Sequence, residues 1–303
     1  MLTRQKILLS FIKNAGNETS LIELVKNAFL MTQECSNKSL KTFYQFLPYR
    51  HGPYSFTLYH ELQLLVESGF IFPPLGQRLE LATNQITNRH SLEWTLEKEV
   101  QKIWRVYGQY DTWDLVDLIY EKYPWYTLLC KYEEKRLVQP PIAPLAVYTM
   151  GYEGLQVDGF LDRLLRHGIK RLIDVRFNPL SRKFGFSKAA LSNFCRYVGI
   201  QYEHIPQVGI PPDLRKDLKS FEDYQQLFWH YERNILDNNN DVVQRIAELM
   251  KEAASVLVCQ ESNPNYCHRT SLAKRVAQIT DLHIDDLGEV KWRNTLEQGC
   301  LLS

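Results

Sequence analysis

No cysteine spacing in this 303-residue chain fits a disulfide framework; its six cysteines are scattered at 35, 130, 195, 259, 267 and 300. Reduced thiols and a cytoplasmic setting are the expectation. The N-terminus, MLTRQKILLSF, lacks the long apolar core and cleavage site of a secretory signal. No apolar run approaches the ~20 residues that a membrane helix needs, so no membrane partner is expected. Charge of one sign is not in excess either. A formal net charge of +1 gives no overall attraction to nucleic acid or lipid. Repeats and low-complexity segments are missing as well. What remains is ordinary globular composition, 45% hydrophobic and 23% charged, in a chain long enough for two domains.

Charge is unevenly spread along that length. Arg163 to Arg196 holds nine basic residues against one acid, Asp174, and such a face can steer an anion. Three prolines in QPPIAP at 139–144 forbid a continuing helix, which sets expected domains at 1–139 and 145–303. Upstream the pattern is mainly helical. Apolar residues recur at helical spacing over Arg4–Lys13 and Leu21–Met31, with Ser20 placed to cap the second run. In FLPYRHGPYSFTLYHELQLLVESGFIF, Gly52-Pro53 breaks the chain and Ser55 can cap. Leu58, Leu62, Leu65 and Val66 form one face, and Gly69 ends the helix before a β-prone run, Phe70–Phe72. Further helices at Trp94–Tyr107 and Trp113–Tyr120 complete a winged-helix-like domain. The segment resembles small bacterial proteins with a "YxxGPYS…LY…L…L…G" core, families usually viewed as DNA-binding or antitoxin-like. That resemblance implies DNA contact through residues 1–80; an interaction domain that touches no DNA stays open beside it. The first 50 residues hold seven Lys/Arg against three Glu, only a modest basic excess.

Downstream, strand and helix patterns alternate. Strands are expected at Leu145–Met150, Arg171–Arg176, Ile200–Ile205, Ser255–Cys259 and Leu282–Asp285. Helices are expected at Phe160–His167, Lys188–Tyr197, Tyr224–Leu236, Val242–Ala254 and Cys267–Ile279. The pattern is α/β, a mostly parallel sheet flanked by helices. Ligands of such sheets sit beyond the carboxyl ends of the strands. Those ends carry Gly151 and Tyr152, then Asp174 and Arg176, then His204, then Cys259 and Glu261. Asp174 lies inside an apolar run, and a buried carboxylate needs a partner, with Arg176 or Arg269 as candidates. Between Val256 and Val276, VLVCQESNPNYCHRTSLAKRV reads as strand, tight loop and helix. The helix opens with Cys267, His268, Arg269 and Thr270, a natural anion site that also lowers a thiol's pKa.

Four stretches, YTMGYEG, LIDVRFNPLSRKFGFSK, YEHIPQVG and LVCQESNPNYCHRTSLA, resemble in order and spacing the domain-of-unknown-function 488 family, over about Tyr148 to Leu287. Val208 stands where that family's HxPxLG motif has leucine. The resemblance implies a Rossmann-like or rhodanese-like α/β domain and no particular reaction or cofactor.

Several chemistries fit these residues. Cys267 at a helix start beside His268 and Arg269 could be a nucleophile, or could pack under the loop. Neither Cys259 nor Cys267 has an arginine six positions on, so the cysteine-phosphatase signature is not met. Cys259, Cys267, His268 and Glu261 hold metal donors, yet adjacent Cys-His rarely turn both side chains to one ion, and no metal ligand is assigned. A redox couple between Cys259 and Cys267 is a further option. Anion recognition is the leading reading: Arg176, Arg182, Lys183 and Arg269 grip phosphate, with Gly151, Asp174 and His268 beside them. Tyr152 and Phe186 would stack on a base. Cys267, Glu261 or His204 would perform any chemistry. The expected ligand is phosphorylated, a nucleotide or nucleic acid, and the rival is a non-catalytic regulator that senses it.

Overall fold

The computed structural model describes residues 1–35, 40, 43–73, 76, 78–216 and 218–288; Cys300 lies outside them. Packing divides the chain into two units. One is Met1–Ile142 with Leu155–Gly168 and Ser181–Val198, and the other is Ala143–Gly154 with Ile169–Leu180 and Gly199–Ser303.

The first unit runs α1 (Thr3–Asn14), β1 (Glu18–Ser20), α2 (Leu21–Glu34), β2 (Leu47–Tyr49), β3 (Gly52–Tyr54), α3 (Phe56–Glu67), β4 (Arg78–Glu80), α4 (Trp94–Tyr107) and α5 (Thr112–Lys122). Ser20 starts α2 through a capping box: its hydroxyl accepts from Glu23 N at 3.1 Å, and the Glu23 carboxylate accepts from Ser20 N at 3.2 Å. The Ser55 hydroxyl accepts from Leu58 N at the start of α3. Past the end of α3, Gly69 adopts φ +74°, which disfavours any side chain. Of the β-prone run at 70–72, only Ile71 forms a bridge, to Leu81, while β1 pairs antiparallel with β4. The break at Gly52-Pro53 is the second strand of a hairpin in which Pro48 faces Pro53. Prolines on a two-stranded edge hide strand character from a propensity reading. Ile7 and Phe11, Leu24 and Phe29, Leu58 and Leu62, Val100 and Ile103 bring α1 to α4 into one core.

This unit also takes in α6 (Val157–Arg166) and α7 (Lys188–Tyr197). The reason is specific. Asp158 of α6 is fully buried, and its carboxylate accepts from Phe56 N at 2.5 Å, Thr57 N at 3.1 Å and the Thr57 hydroxyl at 2.5 Å. It thereby satisfies amides at the start of α3 that have no intrahelical partner. Gln156 and Gln45 exchange backbone-to-side-chain bonds at 3.0 and 3.1 Å beside it.

The second unit is a five-stranded sheet in the order β7 (Gln201–His204), β6 (Arg171–Asp174), β8 (Ser255–Cys259), β5 (Val147–Gly151) and β9 (Ile284–Asp286). Every pairing is parallel, so the fold is α/β. α8 (Phe221–Tyr231), α9 (Asn240–Glu252) and α10 (Arg269–Thr280) complete it. β5 and β8 are buried at every position, as expected of central parallel strands. Val147, Ile173, Leu257 and Cys259 share a core with Leu227 and Tyr231 of α8, Ile246 and Met250 of α9, and Leu272 and Val276 of α10. Side chains alternate along a strand, so Asp174, next to Ile173, points to the opposite face of the sheet. Among the described residues, no helix is long and apolar enough to cross a membrane.

Candidate functional site

Because the strands are parallel, Gly151, Asp174, His204 and Cys259, each the last residue of its strand, close on the same edge of the sheet. Strand alternation then sorts the polar groups into two clusters.

The first cluster surrounds Asp174. Its carboxylate, fully buried, accepts from Arg176 Nε at 2.8 Å and Arg176 Nη2 at 2.5 Å, and from the Tyr202 hydroxyl at 2.7 Å. Arg176 also donates to the Tyr152 hydroxyl at 3.0 Å, with its guanidinium 5.1 Å from that ring's centre. His204 pairs with Asp174 across the strands, and its Nε2–H donates to Arg176 O at 2.9 Å. Each of these partners constrains a residue expected to meet ligand. Arg176 is 6% exposed and tied to a carboxylate; Tyr152 is 4% exposed and lies under the guanidinium, not open to a base. His204 Nε2 already carries the proton it donates to a carbonyl, which removes that nitrogen as a general base. Burial selects Arg176 rather than Arg269 as the partner of Asp174, because a desolvated carboxylate needs its cation in direct contact.

The second cluster lies on the face that α8 to α10 share. Cys259 Sγ is 3.1 Å from Glu261 Oε2 and 3.8 Å from His268 Nδ1. The donor atoms of Cys259, Cys267 and His268 all lie within 4.8 Å of one another, and all three residues are buried. Arg215 was not anticipated. It donates to Glu261 Oε1 at 2.5 Å and to His268 Nδ1 at 2.9 Å. On its other side His268 faces Val175 O at 3.2 Å, a pure acceptor, so Nε2 carries the proton and Nδ1 offers a lone pair. Tyr231 stands edge-on to the imidazole at 5.3 Å and hydrogen-bonds Val208 O. Arg215 sits in a short 3-10 turn, Pro212–Arg215, between strand and helix, where no periodicity marks it.

Adjacent residues 267 and 268 do reach the same small volume, against the expectation that they would diverge. The backbone changes from extended at Cys267 (φ −131°, ψ 131°) to helical at His268 (φ −61°, ψ −20°), and that bend swings neighbouring side chains to one side. The assignment of the low-pKa thiol also changes. Cys259 is lowered, first by a hydrogen bond from Cys267, against the burial that opposes it. Cys267 is raised, first by burial and then by donating to Cys259. Burial would raise the Glu261 carboxyl, but Arg215 and the two thiols outweigh it and hold it down at about 2. Position at the start of a helix did not decide which sulfur ionises; the neighbouring thiol did.

Arg269 has a structural task. It is fully buried, and it donates to Glu261 O, to Ser262 O at 3.1 Å and to Asp286 Oδ2 at 3.3 Å, while its Nε has no partner among the described residues. A guanidinium committed to two loop carbonyls fixes the 261–262 turn and is not free to grip phosphate. Gly151 serves the same turn: a Cβ there would fall 1.8 Å from Glu261 O. Glu153 holds the turn from outside, accepting from Ser262 N and Oγ at 3.1 Å.

Arg182, Lys183 and Phe186 fall in the first unit. Phe186 is fully buried, edge-on to Phe160 at 5.5 Å, with Lys183 Nζ 5.4 Å from its ring. A ring in that place is core and cannot stack on a base. Open aromatic rings occur elsewhere in the second unit. Phe221 (43% exposed) and Tyr266 (38% exposed) meet edge to face at 5.7 Å, and Tyr224 meets Tyr266 at 5.0 Å. Tyr266 immediately precedes Cys267 in the chain.

No curated protein and no solved structure matches the chain. The family model described as "Domain of unknown function DUF488" matches residues 156–276, a span that includes Asp174, Arg176, His204, Cys259, Glu261, Cys267, His268 and Arg269. The likeness to that family thus lies within the C-terminal half of the chain.

Proposed function

We propose that the C-terminal half binds a phosphorylated ligand with a planar ring, a nucleotide or short nucleic acid, at the carboxyl edge of a Rossmann-like or rhodanese-like sheet. The thiol cluster of Cys259 and Cys267 is its chemical centre. One observation carries this reading: two sulfurs, an imidazole lone pair, a carboxylate and the Arg215 guanidinium share one site at the strand ends, and the residue before Cys267 belongs to a half-open aromatic face. Phe221, Tyr224 and Tyr266 supply the stacking surface expected at first of Tyr152 and Phe186. Arg215, with about a third of its side chain exposed, is the cation best placed to meet an anion. Arg176 and Arg269 hold structure instead.

The experiment is thermal shift with nucleoside mono-, di- and triphosphates and a short single-stranded DNA, on the wild type and on Tyr266→Ala and Arg215→Ala. Stabilisation by one class of probe, weakened in both variants, is the expected result. No shift with any probe, or equal shifts in wild type and variants, overturns the reading.

A second reading, a non-catalytic regulator, draws support from burial, since Cys259 is 2% and Cys267 0% exposed. Alkylation by iodoacetamide near neutral pH separates the two. A working thiol is labelled at Cys259 faster than at Cys130 or Cys195, whereas a sensor's thiols stay inert. For the N-terminal half, the order helix, strand, helix, hairpin, helix, strand, with β4 joining β1, supports a winged-helix-like unit with a hairpin inserted before α3. α3 takes the place of a recognition helix, yet FTLYHELQLLVE contains no Lys or Arg and two Glu. Phosphate attraction supplies most non-specific DNA affinity. This unit is therefore read as a protein-interaction module.

A further inference from the structure

We infer that Cys259, Cys267 and His268 bind one thiophilic divalent cation, zinc by the character of the ligand set. The inference adds an ion to the site proposed above and needs no nucleotide.

Geometry is the first argument. Around a tetrahedral zinc, Zn–S of ~2.3 Å and Zn–N of ~2.1 Å place donor atoms roughly 3.5–3.8 Å apart. Cys259 Sγ and His268 Nδ1 are 3.8 Å apart, and all three donors lie within 4.8 Å. Closing onto an ion takes an adjustment of an ångström or less at each sulfur. Orientation is the second argument. A metal-binding histidine generally donates its other ring N–H to a carbonyl or carboxylate, and His268 Nε2 does so to Val175 O. The lone pair is on Nδ1, the nitrogen that faces the sulfurs.

Charge is the third. Two thiolates neutralise a divalent ion, and the protons that the thiols still hold leave to solvent. Glu261 is already neutralised by Arg215. Its Oε2, 3.1 Å from Cys259 Sγ, is placed to be the fourth ligand or to hold a metal-bound water. One contact must yield. Arg215 Nη2 now fills the His268 lone pair, and it withdraws while Nη1 keeps Glu261, a movement open to a side chain about a third exposed. Other tetrahedral sites of two cysteines and a histidine take a fourth ligand in this way.

The test is titration of the reduced full-length protein with Co²⁺, read by sulfur-to-cobalt charge-transfer absorption and the visible bands of tetrahedral cobalt. The inference expects saturation at one equivalent and displacement by Zn²⁺. Cys259→Ser, Cys267→Ser and His268→Asn should each weaken binding at least tenfold, while Cys195→Ser leaves it unchanged. A folded, reduced wild type without these bands, or bands that persist in Cys259→Ser, overturns it. A second readout needs no variant: Zn²⁺ should protect Cys259 and Cys267, but not Cys35, from iodoacetamide mapped by mass spectrometry, and equal labelling with and without Zn²⁺ overturns it too. Labelling of Cys259 in metal-free protein with no cobalt spectrum would sink the ion and leave the thiol reading standing.

Discussion

Replacing Gly151 by alanine should dismantle the sulfur site without touching any of its side chains. A Cβ at 151 would stand 1.8 Å from Glu261 O, 2.5 Å from Glu261 C and 2.9 Å from Ser262 Cα, all backbone atoms. Ordinary contact begins at 3.4 Å, so the 261–262 turn must retreat by about 1.6 Å. Arg269 donates to the carbonyls of both residues and Glu153 N donates to Gln260 O at 2.9 Å, so the turn cannot retreat without losing bonds. Overpacking typically costs about 1–3 kcal/mol, and each bond given up by the buried Arg269 adds roughly 1–3 kcal/mol. A destabilisation of about 3 kcal/mol is expected, measured as the urea midpoint of the Gly151→Ala variant. Because Glu261 moves with its backbone, the carboxylate leaves the two sulfurs, and cobalt binding should weaken with stability. Unchanged stability together with an unchanged cobalt spectrum would refute the reasoning, since it would mean that the turn does not depend on the bare glycine.

Three further outcomes follow from other buried groups. Asp174→Ala leaves Arg176 buried without its counter-ion, and breaking such a pair costs about 3–5 kcal/mol by urea unfolding; a loss below 1 kcal/mol would contradict the pairing. Asp158→Ala strips the start of α3 of its acceptor for two amides and a hydroxyl and should cost about 3 kcal/mol, whereas a neutral result would show that α3 is capped in some other way. Burial lowers the Lys26 amine from 10.5 to about 7, and its two acceptors, His51 O and Pro53 O, match the two N–H bonds of a neutral amine. Between those pKa values the unfolded chain binds the extra proton, so stability rises with pH above 7. Wild type should gain about 2 kcal/mol relative to Lys26→Met between pH 7 and 9, and parallel profiles would dismiss the idea.

The three inner strands were legible because β5, β6 and β8 are buried apolar runs, whereas the edge strands β7 and β9 have no buried position; Ser255–Cys259 and the helix at 188–197 were read to the residue. Ser20 and Ser55 were legible as caps because hydroxyl-then-helix is a local rule. The hairpin at 47–54 was hidden by its prolines. Face assignment was the larger loss. The sequence places Asp174 and Cys259 at the same edge, but only register shows Ile173, not Asp174, on the side of Cys259, and one pocket becomes two clusters. Arg215 comes from an irregular loop 44 positions before Cys259 and has no local signature. Which arginines are free depended on loop carbonyls that a sequence reading cannot locate: Arg269 holds two of them, and Arg176 holds Asp174.

The central claim is that Cys259 and Cys267 present their sulfurs to one site. Phenylarsine oxide bridges two thiols only when they are close, so the mass and position of its adduct on reduced protein measure this directly. One arsenical bridging Cys259 and Cys267, absent from Cys259→Ser and from Cys267→Ser, is the predicted result. No adduct at these residues, or an adduct on either one that survives loss of the other, would contradict the account.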